Sequence, residues 1–291
     1  LEYWPNAHVY GTGEELLEKE PVDIIDICTP SFLHSKYIIE ALKKNKHVFC
    51  EKPVCLTENE CQALSGTSLH SDKQVMVGHV VRFFPEYQYL KQAVDQNVYG
   101  KLLKLDLKRL SGDVPWGYED WFHDALKSGS VMMDLHIHDL DFLHYLLGKP
   151  TIDTVKVERT LGNLINHVIA TYKYDNLSVS AEGLWDTSPD FPFEASYTAV
   201  FDTGSLSFNS RKNPSLRFCD TTGKEIIPKL ERVPSHIVKG TDINTQQLGP
   251  YYSETAYFLN CIGSSKKITN ATLQDGIEAV RLVLQEETKI R

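Results

Sequence analysis

Two stretches of the sequence bring together side chains that can move protons. The first holds Lys52, in Glu51-Lys52-Pro53 at the end of the run His47-Val48-Phe49-Cys50. Proline disfavours helical geometry in the residue before it, so Lys52 is held extended or in a turn, and a cis Lys52–Pro53 bond is open to it. An amine fixed in a partly dry cleft has its basicity shifted and serves as a proton donor or acceptor. A solvated turn lysine is the competing reading. The second stretch is Asp134-Leu135-His136-Ile137-His138-Asp139-Leu140-Asp141. On a helix Asp134, His138 and Asp141 share one stripe, continued by Tyr145 and flanked by Ile137 and Phe142. A polar stripe between apolar neighbours suits a cleft better than open solvent. Asp134 beside His138 would fix the imidazole tautomer and raise its basicity. A first-turn acid and an internally bonded histidine are the plainer alternative. His136 and His138 also spell H-x-H, but a helix turns them about 200° apart, so no metal site is expected.

Weaker candidates surround these two. Thr29-Pro30-Ser31 with His34 lies where a strand enters a helix, and backbone N–H groups there could meet a phosphate or ribose. Ordinary capping by Ser31 would explain the same residues. Arg82 precedes Phe83-Phe84-Pro85 and suits either an anionic or hydroxylated substrate or a plain ion pair. Trp116 and Trp121 either wall a pocket or fill core.

The elements that must position these groups are legible from periodicity. Val22 to Cys28, His47 to Cys50 and Val75 to Gly78 read as strands. Helical patterns run from His34 to Lys44 and from Thr57, whose Glu60 completes a capping box. Repeated β-α units imply a parallel sheet flanked by helices, with ligands beyond the carboxyl ends of its strands. Those ends are Thr29-Pro30 and Glu51-Lys52-Pro53. Gly11-Thr12-Gly13 resembles a phosphate loop, but no strand runs into it, and Thr12 with Glu15 reads as a cap before Leu16-Leu17. The chain is therefore expected to begin partway into an α/β domain. Beyond Arg82, Tyr87 to Val98 reads as a helix and Lys101 to Arg109 as a half-buried strand. A helix from Ser130 to Leu147 follows. Strands fill Thr151 to Ser210, with hairpin turns at Asp175-Asn176 and Asp202-Thr203-Gly204. Lys229 to Pro250 reads as loop, and helices cover Ser253 to Ile262 and Leu273 to Thr288. The expected domains are 1–80, a Rossmann-type parallel-sheet unit that is N-terminally incomplete, and 81–291, an α+β unit with a large, mostly antiparallel open sheet.

Composition narrows the function classes. The 291 residues are 42% hydrophobic and 24% charged, with a net charge of −9 and no basic run, which disfavours nucleic-acid binding. No apolar run is long enough to span a bilayer and no secretory signal is evident, so a cytoplasmic protein is expected. The six cysteines contain no C-x-x-C pair, and buried reduced thiols are expected.

Taken together, Asp23-Ile24-Ile25-Asp26-Ile27-Cys28-Thr29-Pro30 with His34, Lys46-His47-Val48-Phe49-Cys50-Glu51-Lys52-Pro53, Arg82-Phe83-Phe84-Pro85, and Ser128-Gly129-Ser130 running into Asp134-x-x-x-His138-Asp139 resemble the glucose–fructose oxidoreductase and inositol dehydrogenase family. The resemblance implies a Rossmann domain followed by an α+β domain whose open sheet forms a homo-oligomer interface. It implies NAD or NADP as cofactor, and hydride transfer at a carbinol or carbonyl carbon of a small polyhydroxylated molecule. By motif, Lys52, Asp134 and His138 would be catalytic, and Thr29, Pro30, His34, Glu51, Lys52 and Trp121 would border the cofactor. Arg82, Asp134 and His138 would meet substrate. The family's Gly-rich turn and its following discriminator do not occur in the sequence, so NAD and NADP are not distinguished. A non-catalytic binding or regulatory protein on the same scaffold, or a metal hydrolase built on His136 and His138, are the alternatives from other classes.

Overall fold

The fold was read from a computed structural model, which describes residues 5–186, 188, 190–231 and 248–290. A helix α1 (Gly13–Lys19) opens it, and Thr12 caps that helix by accepting from the Glu15 N–H. Three parallel strands follow in the order β1 (Ile24–Ile27), β2 (His47–Glu51) and β3 (Val75–Gly78). The helices α2 (His34–Lys43) and α3 (Glu58–Ser68) connect them, and Thr57 with Glu60 forms the expected capping box. Each connection crosses over in a helix because parallel neighbours cannot be joined by a hairpin. β3 is buried along its whole length, as a strand covered on both faces must be.

The chain then turns through Val80–Phe83 into α4 (Pro85–Asp95) and β4 (Leu102–Ser111). Two short turns, Tyr118–His123 and α5 (Ala125–Ser128), lead to a π-helical turn at Met132–His136 that runs into α6 (Ile137–Leu147). The strands β5 (Thr151–Arg159), β6 (Ile165–Tyr174), β7 (Leu177–Trp185), β8 (Glu194–Phe201), β9 (Gly204–Asn209), β10 (Leu216–Asp220) and β11 (Glu225–Ile226) complete the second unit. With β4 they form an eight-stranded sheet ordered β11-β10-β9-β8-β4-β7-β6-β5. Every pairing in it is antiparallel except β4 with β7. Asn176 takes a positive φ at the β6–β7 turn, the left-handed geometry such turns require.

Two expectations need adjustment. The helix expected over Ser130–Leu147 is interrupted, because Gly129 and Ser130 both take positive φ and the next turn is a π turn. Helix α7 (Leu248–Gly263) overlaps the end of the expected loop Lys229–Pro250, and residues 232–247 of that loop lie outside the described residues. The last helix, α8 (Leu273–Glu287), packs on α3 and β3 as well as on α6 and β5, so the C-terminal end of the chain touches both sheets. Its Gly276 lets Val54 and Val77 approach closely; a Cβ there would lie 2.9 Å from both. No helix among the described residues is long and apolar enough to cross a membrane.

Candidate active site

The carboxyl ends of β2 and β3, the π turn and one face of the large sheet enclose a cavity of about 620 Å³. Lys52, Asp134 and His138 all line it, so the two motifs that lie far apart in sequence meet there. Lys52 follows β2, and its bond to Pro53 is cis. Its Nζ donates to Asp134 Oδ1 at 2.6 Å and to the Asp134 carbonyl at 2.7 Å. Both side chains are largely buried, with 13% and 20% exposure. A charge-assisted contact of this length is strong in a low-dielectric cleft, and the carbonyl fixes the ammonium's direction as well.

Asp134 does not bond to His138, contrary to the sequence expectation. Its Oδ2 accepts instead from Trp185 Nε1 at 3.2 Å. The π turn explains the difference, since it adds a residue per turn and removes the ordinary i,i+4 relation. His138 keeps an unpartnered, buried Nδ1 among the described residues. Burial pushes its pKa well below the ordinary histidine range, and Lys52, Arg109 and His79 add to the push. His138 is therefore a neutral imidazole, ready to accept a proton.

The expected polar stripe divides. Its upper half never reaches the cavity: Arg82 Nε and an Nη donate to the two oxygens of Asp141 at 2.8 and 2.6 Å. Arg82 also reaches Asn270 and Asp275, both at 3.3 Å, and its guanidinium lies over the Tyr145 ring. At 3% exposure, Arg82 is an internal ion pair, and its expected substrate contact is corrected. The arginine that does line the cavity is Arg109 on β4. It donates twice to Asp139, at 3.2 and 2.9 Å, and once to the Tyr87 hydroxyl at 3.2 Å.

His34 is likewise internal. Its ring nitrogens lie 2.7 Å from the carbonyls of Pro53 and Thr29, and burial depresses its pKa. It braces the two strand ends against each other instead of facing a cofactor. Trp121 stacks on Phe122 and does not line the cavity, whereas Phe122 and the exposed Trp116 do. Cys28, expected to be buried, is exposed. His136 faces away from His138, towards Glu286 at 3.1 Å and the Tyr172 hydroxyl at 3.2 Å. The two histidines thus share no ion, and no metal-binding cluster occurs among the described residues.

Thr29 and Glu51 lie at the carboxyl ends of β1 and β2. The Thr29 hydroxyl is buried without a partner among the described residues, an unmet hydrogen-bonding group at the strand ends. Burial raises the pKa of Glu51. Its carboxyl needs the space left by Gly78, where a Cβ would lie 3.1 Å from it. Pro30 is half-buried beside Thr29. Among the described residues no glycine-rich turn joins a strand to a helix, so no residue is assigned to the pyrophosphate.

The sequence reading missed Trp185, Arg109, Tyr87, Arg211 and Tyr251, of which all but Trp185 line the cavity. Arg109 carried a usable signal. On β4, Leu105 and Leu107 point inward, so residue 109 has the same inward parity, and a charge there needs a buried partner.

Comparison with known proteins follows the same lines. Residues 2–79 match a family model described as "Oxidoreductase family, NAD-binding Rossmann fold", and residues 87–207 match "GFO/IDH/MocA C-terminal domain". The 2,7-anhydro-N-acetylneuraminate hydratase of Escherichia coli is 32% identical over 136 residues, 47% of this chain and 36% of that protein. The myo-inositol 2-dehydrogenase of Thermotoga maritima is 30% identical over 141 residues, 48% of this chain and 40% of that protein. The matched stretch thus spans well under half the length of these curated relatives. A solved levoglucosan dehydrogenase, in complex with NADH and levoglucosan, superposes with a TM-score of 0.76 at 17% identity, covering 95% of this chain and 80% of that one. That likeness shows a shared fold.

Proposed function

From a chain that belongs to the Gfo/Idh/MocA oxidoreductase family, we propose a nicotinamide-dependent oxidoreductase acting at a CH–OH carbon of a small polyhydroxylated molecule. The observation that carries this reading is the meeting of Lys52, Asp134 and His138 in one cavity at the carboxyl ends of parallel strands. The relatives named as inositol and levoglucosan dehydrogenases support the substrate class, and the complex with NADH supports the cofactor, NAD or NADP.

Bound at Thr29 and Glu51, a nicotinamide would supply the hydride acceptor or donor. The chain's own residues do the rest. Lys52 hydrogen-bonds the reacting oxygen and stabilises negative charge as it develops there. Neutral His138 takes the hydroxyl proton in the oxidising direction and returns it in the reducing one. Asp134 aims the lysine, with Trp185 holding its second oxygen. The aromatic walls at Phe84, Tyr87, Phe122 and Phe193 exclude water and offer flat apolar surface to a ring. Self-association through the outward face of the eight-stranded sheet belongs to the same proposal.

Lys52→Ala tests the assignment. Turnover should fall by about 100-fold or more, while the affinity for NADH, read by fluorescence titration, stays close to that of the unaltered chain. Near-normal turnover in this variant would remove Lys52 from the mechanism.

A further inference from the structure

Cys55 and Cys61 play no part in the chemistry above, yet their sulfurs lie 3.3 Å apart and share a hydrogen bond. Both residues are fully buried. Cys55 sits in the segment between Lys52 and α3, and Cys61 in the first turns of α3, its N–H donating to the Thr57 carbonyl at 3.0 Å. Independent contacts hold the two segments face to face. The Glu60 carboxylate accepts from the N–H groups of Leu56 and Thr57 at 3.1 and 3.0 Å, and from the Ser35 hydroxyl at 2.6 Å.

From this juxtaposition we propose that Cys55 and Cys61 are a dithiol modification site, oxidised reversibly to a disulfide by a peroxide. A disulfide needs its sulfurs at about 2.05 Å, so they have a little over 1 Å to close. The cap already joins the two ends of the ring, so little chain entropy remains to be lost on closing it. Access comes through the start of α3, where Glu58, Asn59 and Gln62 are exposed, and helix ends open locally at low cost.

The bond from Cys55 draws the Cys61 thiol below its usual range, while the same contact raises Cys55. Cys61 also lies on the turn of α3 whose Asn59 and Gln62 are exposed, whereas Cys55 follows buried Val54, so Cys61 is the sulfur that peroxide reaches first and the attacking thiol. Its sulfur displaces hydroxide from hydrogen peroxide and becomes a sulfenic acid, and the hydroxide takes the proton lost by the thiol to form water. Cys55 sulfur then displaces the sulfenic oxygen, which leaves as a second water with the Cys55 proton. Two thiols lose two electrons, and the peroxide gains them. The closed ring begins three residues after Lys52, on a segment whose Pro53 carbonyl also contacts His34.

Peptide mapping by mass spectrometry tests this without reference to any enzymatic activity. The chain is treated with hydrogen peroxide, unfolded in denaturant while its remaining free thiols are blocked with a maleimide, and digested. The expected product is a Cys55–Cys61 crosslink lighter by two hydrogens, which dithiothreitol reopens. In Cys55→Ser the crosslink should vanish, and dimedone should trap a sulfenic acid on Cys61. Two results from the unaltered chain would overturn the proposal: both thiols still open to the maleimide, or oxygen retained on Cys61 with no crosslink.

Discussion

At Asp134 one carboxylate serves two donors, Lys52 Nζ at 2.6 Å and Trp185 Nε1 at 3.2 Å. Both oxygens are therefore committed to holding position, and neither bonds the histidine that the motif places four residues on. His138 then depends on its surroundings alone. Burial and the positive charges of Lys52 and Arg109 disfavour its protonated form, so as the pH falls it stays neutral past the point where a solvated imidazole would take a proton. The neutral form accepts the substrate proton, so activity in the oxidising direction should persist as pH falls through 6.5, the ordinary histidine value. It should be lost only below that. The pH profile of kcat/KM reports the free enzyme's essential groups, and an acid limb centred at or above pH 6.5 would refute the role given to His138.

The π turn at Met132–His136 is the element that aims Asp134, and the backbone before it sets where it starts. Gly129 takes φ +69°, and a Cβ there would lie 2.4 Å from Met133 Cγ and 2.6 Å from its Cβ. Gly129→Ala should therefore destabilise the chain by about 1–3 kcal/mol, a fall of several degrees in Tm, and should also reduce turnover because Met133 adjoins Asp134. A variant that melts with the unaltered protein would show that the turn does not depend on this glycine. This element also marks where sequence reading stops. The strands β1 to β9, the Thr12 and Thr57 caps and the residues Lys52, Asp134 and His138 follow from periodicity and short motifs, because local chemistry determines them, whereas β10 and β11 lie beyond the expected strands. Three things did not follow: the π turn, the partnership of Arg82 with Asp141 and the bracing of Thr29 to Pro53 by His34. Each depends on a contact between residues distant in sequence, and an isolated arginine or histidine looks the same whether it faces a substrate or a carboxylate.

Across the whole molecule, two sheets of different kinds are bridged by helix α8, which touches both. The parallel sheet contributes Lys52 from its strand end, and the α+β unit contributes Asp134, His138, Arg109 and the aromatic wall. Neither unit alone encloses the cavity. The most direct test of the oxidoreductase reading uses the gene product with any residues that precede Leu1 retained. It is incubated with NAD or NADP in the oxidised form and with a panel of neutral sugars and inositols, and the reduced dinucleotide is followed by its fluorescence. The account predicts that at least one compound yields reduced dinucleotide and that replacing Lys52 by Ala abolishes the yield. Absence of reduced dinucleotide across the panel, together with no binding of NADH or NADPH, would contradict it and favour a non-catalytic role for the same scaffold.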